Sequence, residues 1–108
     1  MVDVIVTGIG LVSALGSDVE TCWQQLVSGA CAIRLHQPFP EIQRLPLALI
    51  GEQPASLSTL THLVVAAALK DAKLNPPLLE CGVVIGSSRS HQAAWERLAR
   101  QFYGAEES

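Results

Sequence analysis

The stretch from Val4 to Gly16 constrains the fold most: a β-branched run, Val4-Ile5-Val6-Thr7, is followed by glycines at Gly8, Gly10 and Gly16. Such a run suits a strand covered on both faces, and the glycines mark backbone that takes unusual dihedrals or approaches a neighbour closely. The sequence predicts a buried strand over 3–8 and a turn that ends at Ser17. A Gly-x-Gly after an N-terminal strand also suits a dinucleotide pyrophosphate on a helix N-terminus, but that fingerprint wants a third glycine where this chain has Ser13. It also wants an acidic residue closing a second strand about 20 residues later, where the chain reads Gly29-Ala30-Cys31-Ala32-Ile33-Arg34-Leu35. The nucleotide reading fails on both counts.

Ser17-Asp18-Val19-Glu20 has the form of a capping box, in which a serine hydroxyl and a carboxylate satisfy orphan N–H groups at a helix start. It predicts a helix over 18–28 with Val19, Cys22, Trp23 and Leu26 on one apolar face, Trp23 in the core and Gly29 capping the end. Residues 30–46 read as irregular, because Pro38, Pro40 and Pro46 interrupt any helix, and 47–51 read as a short strand before a loop through Pro54. A second helix is expected from a cap at Ser56 or Ser58 to Leu74, stopped by Asn75-Pro76-Pro77; it is apolar nearly all round, which predicts cover on several sides. Cys81-Gly82-Val83-Val84-Ile85-Gly86 reads as a second buried strand. Ser90 is placed to cap a third helix over 91–102, with Ala94, Trp95, Leu98 and Phe102 on its apolar side and Glu96, Arg97 and Arg100 on its wet side. Residues 103–108 are expected to be a frayed tail. Strands alternating with helices make this an α/β chain, with parallel pairing through right-handed crossovers.

Several of these residues stand at fixed offsets. The apolar strand, Thr7-Gly8-x-Gly10-x-x-Ser13-x-x-Gly16, and then Trp23-x-x-Leu26-x-x-Gly29-x-x-x-Ile33 resemble the N-terminal signature of the β-ketoacyl-[acyl-carrier-protein] synthases. The segment Ala67-Ala68-Leu69-Lys70-Asp71-Ala72-Lys73-Leu74 is similar to the family's A-x-x-A-L-x-D-A-G-L, with Lys73 where glycine is usual. Gly82-Val83-Val84-Ile85-Gly86-Ser87 resembles the family's G-V-x-x-G-[ST] strand and turn. Ser58-Thr59 stands where the family often has an aspartate-arginine pair, so that anchor is missing. The resemblance covers roughly residues 2–100 and implies the front end of a thiolase-like α/β/α/β/α layered fold, with residues 1–108 as a partial N-terminal half. It further implies a decarboxylative Claisen condensation of an acyl thioester with malonyl-acyl carrier protein, acyl carrier protein as partner, and a homo-oligomer. Covalent catalysis of that kind needs an activated thiolate and donors for an oxyanion.

The residues that would carry it are not in this stretch. Gly29-Ala30-Cys31-Ala32 looks like the surroundings of the family's nucleophile, yet Cys31 falls inside the first-helix signature, where the family has a small structural residue. The family's cysteine and two histidines belong beyond residue 108, so no catalytic residue is assigned and no activity is expected of these residues alone. His36 in the proline-rich loop, His62 in the second helix and His91 at a helix start are read as structural or solvent-facing. Ser87, Ser88, Arg89 and Ser90 follow a strand's carboxyl end, where α/β proteins place ligands, but a turn and helix cap explain them. Cys22, Cys31 and Cys81 are odd in number and widely spaced, which fits neither a disulfide framework nor a metal site and predicts free, mostly buried thiols.

Composition narrows the partners. The formal net charge is −3, with seven Lys and Arg scattered, which argues against nucleic acid. No apolar run reaches a membrane span, Asp3 stands where a signal peptide carries positive charge, and the expected compartment is the cytoplasm. With 49% hydrophobic residues in 108, the chain is more apolar than its length can bury. The alternative reading is therefore a short interaction or scaffolding protein that associates through exposed apolar faces.

Overall fold

Helix α1 (Val19–Val27) starts at Asp18 rather than at Ser17, as a computed structural model describing residues 2–52, 55–89 and 91–104 shows. Asp18 is the residue in extended conformation, at φ −146°, and its Oδ1 accepts from the Thr21 N–H at 2.7 Å. Glu20 does not reach back to close a capping box; its Oε1 accepts instead from Gln24 Nε2 at 3.0 Å along the helix. At the other end Gly29 takes a left-handed φ of 78°. Its N–H donates to Leu26 O at 3.2 Å while the Ala30 N–H donates to Gln25 O at 3.0 Å, the paired bonds of a Schellman stop.

Helix α2 (Leu57–Asp71) ends in the same way without a glycine. Lys73 sits at φ 57°, donating to Lys70 O at 3.1 Å, and Leu74 donates to Leu69 O at 2.9 Å. Ser56 is its N-cap but makes no side-chain capping bond. The apolar circumference is covered on one side only: Leu60, Val64, Ala68 and Ala72 are half-buried, whereas Leu57, Leu63 and Val65 are exposed.

The covered side receives the glycine-bearing stretch. A Cβ on Gly8 would lie 2.7 Å from the Ala72 N and 2.8 Å from its Cβ, and one on Gly10 would lie 2.9 Å from Val64 C and run into the Val64 carbonyl oxygen. Between them the Ile9 N–H donates to Asp71 Oδ2 at 3.0 Å. The segment thus lies along the α2 backbone, and Val64, Ala68 and Ala72, four residues apart, form the row it meets.

The expected strands over 3–8 and 81–86 are not formed. Both stretches lack a ladder partner among the described residues, and Val4, Val6, Val83 and Val84 stand open to solvent. A strand exists only with a neighbour to bond, so β-branched sequence alone leaves them as unpaired chain. The sheet that does form lies where irregular structure was expected. β1 (Arg34–His36) pairs antiparallel with β2 (Leu45–Leu47), Leu35 opposite Pro46, and no parallel pair is present among the described residues. Pro46 is tolerated because a two-stranded ladder has only edges. The short strand therefore precedes, and only touches, the expected 47–51.

These elements belong to one unit, Met1–Leu78; the second, Leu79–Ser108, carries helix α3 (Gln92–Gly104). Gln92 N donates to Arg89 O at 3.0 Å and the Arg89 guanidinium to Gln92 Oε1 at 3.0 Å. Ser90, Pro54 and tail residues 105–108 lie outside the described residues, while Tyr103 and Gly104 close α3. Trp95, Leu98, Phe102 and Tyr103 are exposed. In the first unit Trp23 is 61% exposed, so it is not a core residue; among the described residues Cys22 alone is a buried hydrophobe. Trp23 and Leu26 share an apolar face that no element of the unit covers. The chain is a small mixed helix and strand protein.

Three substitutions test this reading of the backbone. Gly10→Ala should destabilise the chain by about 1–3 kcal/mol, the usual cost of overpacking against rigid backbone, while Gly82→Ala, with nothing within 4 Å, should be near neutral. Lys73→Gly should stabilise it by about 0.5–1 kcal/mol, the left-handed penalty less the entropy of glycine. Urea unfolding followed by circular dichroism reads all three.

Candidate functional site

Two assemblies in the first unit bring chemistry-bearing side chains together. One is built on the turn that follows the glycine segment. Ser13 N donates to Gly16 O at 2.9 Å and Gly16 N to Ser13 O at 3.2 Å, closing a tight loop. Its hollow holds Cys22: the thiol donates to Gly16 O at 3.3 Å, and Ser13 Oγ lies 3.2 Å from the sulfur. A thiol has one proton, which the Gly16 carbonyl takes, so the Ser13 hydroxyl is the donor to sulfur. Ser13 Oγ in turn accepts from the Leu15 N–H at 3.1 Å. Gly16 is pressed on the start of α1, where a Cβ would lie 2.7 Å from Thr21 Cγ2. The bonds of Cys22 to Ser13 and Gly16 hold the turn to the helix.

The Asp18 carboxylate beside it is held below its ordinary value of 3.8, first by the Thr21 N–H and then by the Thr21 hydroxyl. The cap is strongest with the carboxylate ionised.

The other assembly is an open cleft of about 350 Å³ behind the C-terminal end of α1. Gln25, Cys31, Arg34 and His36 line it together with Leu15 and Leu49. The Schellman stop turns the chain so that Cys31 faces this cleft, and the strand period sends Arg34 and His36, two apart on β1, to the same side. Cys31 is exposed, contrary to its expected burial, and so is Cys81. The reason is the same for both: each lies in chain that no neighbouring element covers. His36 sits in β1 rather than in a loop, and His62 is exposed on α2. In the second unit Arg89 is committed to Gln92, as a helix entrance requires.

The sequence motifs singled out the glycines, Ser13 and Asp71; the structure brings Gly8, Gly10 and Asp71 together on α2, and Ser13 and Gly16 together against the start of α1. Arg34 was missed as a cleft residue; an i, i+2 pair with His36 becomes visible only once a strand is placed over Arg34–His36. Among the described residues no group of three metal-ligating side chains forms. No helix among the described residues is long and apolar enough to cross a membrane.

The chain is similar over 51 residues, at 37% identity, to a Schizosaccharomyces pombe protein named as a mitochondrial 3-oxoacyl-[acyl-carrier-protein] synthase; the match covers 47% of this chain and 12% of that protein. It is 55% identical over 31 residues to the mitochondrial 3-oxoacyl-[acyl-carrier-protein] synthase of Arabidopsis thaliana, covering 29% of this chain and 7% of that protein. No family model and no solved structure matches it. The chain thus has a partial relation to the 3-oxoacyl-[acyl-carrier-protein] synthases and spans a small part of the length of these relatives. The expectation of a cytoplasmic protein is corrected by the same finding, because both relatives are named mitochondrial.

Ser13→Ala should cost about 1 kcal/mol, since the Leu15 N–H and the Cys22 sulfur both lose their partner, and urea unfolding reads it. For Asp18 the folded value is depressed, so its stabilisation is complete above the unfolded value of 3.8 and is lost as pH falls through the lower folded value. An acid titration followed by circular dichroism should show that loss in the parent and not in Asp18→Asn, which still caps but does not titrate.

Proposed function

We propose that these residues form the opening portion of a β-ketoacyl-[acyl-carrier-protein] synthase, whose reaction joins an acyl thioester to the carbanion formed by decarboxylating malonyl-acyl carrier protein in fatty acid or polyketide synthesis. The observation that carries this is the coincidence of two family segments at one seat: Gly8 and Gly10 lie on α2, and the Ile9 N–H bonds to Asp71 of the segment ending in Asp71-Ala72. Sequence identity to two 3-oxoacyl-[acyl-carrier-protein] synthases supports the same reading. On this reading the residues described here are scaffold. The acylated cysteine and two histidines lie further along the polypeptide, acyl carrier protein delivers both substrates, and the thiolase-like layers and a homo-oligomeric contact cover the bare apolar surfaces.

Cys31 has no part in the condensation. It stands on an open cleft at a helix C-terminus, whereas a nucleophile of this chemistry uses a helix N-terminus to favour its thiolate. The test compares two polypeptides, the 108 residues alone and the same reading frame continued. The longer one should convert acyl- and malonyl-acyl carrier protein to the 3-oxoacyl product and the shorter should not; an acyl-enzyme at Cys31 of the short chain, or no product from the long one, overturns the proposal.

Exposure of Val4, Ile5, Val84, Trp95 and Phe102 favours a second reading for the chain by itself, as a protein that associates through apolar faces. The short chain should then elute from size exclusion above its 11.5 kDa monomer mass; a sharp monomer peak would sink this reading.

A further inference from the structure

The three thiols of the chain lie in three different settings. Cys22 is buried, its proton given to the Gly16 carbonyl and its sulfur capped by the Ser13 hydroxyl. Cys81 is exposed on unpaired chain, where its sulfur lies 3.5 Å from the adjoining Gly82 carbonyl oxygen. Cys31 is exposed on the wall of the cleft, beside Gln25, Arg34 and His36. The guanidinium of Arg34 and the imidazole of His36 have no bonded partner among the described residues, and the cleft lining contains no carboxylate. A cleft of about 350 Å³ with a fixed positive charge, two further polar donors and a free sulfur suits a small anion that can react with a thiol.

We propose that this cleft takes a small anionic disulfide, of the class of glutathione disulfide, and that Cys31 is reversibly converted there to a mixed disulfide. The Cys31 thiol gives its proton to water, and the thiolate attacks one sulfur of the bound disulfide. A new bond forms between Cys31 Sγ and that sulfur, the original S–S bond breaks, and its other half leaves as a thiolate that takes up a proton. Cys31 is oxidised, the departing half is reduced, and excess thiol reverses the exchange. Arg34 draws the carboxylates of the reagent in, and the amide of Gln25 and the ring of His36 add hydrogen bonds.

The test follows the rates at which the 108-residue chain is modified by glutathione disulfide and by neutral hydroxyethyl disulfide, with peptide mass mapping to place each adduct. Glutathione disulfide should modify Cys31 before Cys81 and leave Cys22 untouched in the folded chain. Arg34→Gln should lower the ratio of the anionic to the neutral rate at Cys31 by about threefold to tenfold, the effect of one partly screened unit charge. Raising the salt concentration should lower the same ratio in the unsubstituted chain, which reads the charge without altering the fold. Cys81 reacting with glutathione disulfide as fast as Cys31, or a ratio unchanged by both Arg34→Gln and salt, overturns the proposal.

Discussion

The first unit depends on one close approach, the seating of Gly8 and Gly10 on the backbone of α2. A side chain at either position would meet main-chain atoms of Val64, Ala68 or Ala72, and main chain cannot swing aside as a side chain can. The approach removes water from that strip of helix, and the Ile9 N–H is satisfied by Asp71 at its far end. Fixing residues 8–10 in this way also fixes where the Ser13–Gly16 turn begins, and Gly16 against Thr21 then sets the start of α1. One steric condition therefore propagates through a turn to a second helix. The Cys22 thiol, held between Ser13 and Gly16, locks the join.

What surrounds this seat is largely uncovered. Fully burying one large apolar side chain is worth about 1.5–3 kcal/mol, and a whole domain is stable by only about 5–15 kcal/mol. The open side chains of Val4, Ile5, Val6 and Trp23 in one unit, and of Val83, Val84, Trp95 and Phe102 in the other, leave unused a stabilisation as large as that margin. The 49% apolar content thus has a structural meaning: the residues are suited to surfaces that some further element covers.

The helices were legible in the sequence because their signals are local. An acceptor side chain before an apolar repeat, and a glycine or a left-handed residue after it, act within a few residues, and the three helices fall close to where the sequence put them, with ends displaced by one to three residues. The displacement at α1 is instructive, since Ser17 and Asp18 can both cap and the shorter, charge-assisted bond to Thr21 decides for Asp18. The strands were not legible, for the opposite reason. Residues 3–8 have strand composition without a ladder partner, while Arg34–His36 and Leu45–Leu47, one containing Pro46, pair because the chain folds back on itself. Burial of Trp23 and Cys31 failed likewise, because an apolar face says that cover is wanted and not that this stretch supplies it. Of the candidate site, the glycine and serine positions could be read in advance, whereas Arg34 depended on a strand that the prolines concealed.

The two cysteines nearest α1 show how one helix separates the fates of identical side chains. Cys22 lies on the face turned to the Ser13–Gly16 loop, so both the proton and the lone pairs of its sulfur are engaged. Cys31 follows the left-handed Gly29, which ends the helix and reverses the chain before any further turn could bury it. The Schellman bonds of Gly29 and Ala30 satisfy the last carbonyls of α1 and leave the thiol without a local partner. Sulfur that is spent in the first position is available in the second, and β1 then brings Arg34 and His36 to it. The exposure of the Cys31 thiol is accordingly a consequence of how α1 ends, one step removed from the seat on which α1 itself depends.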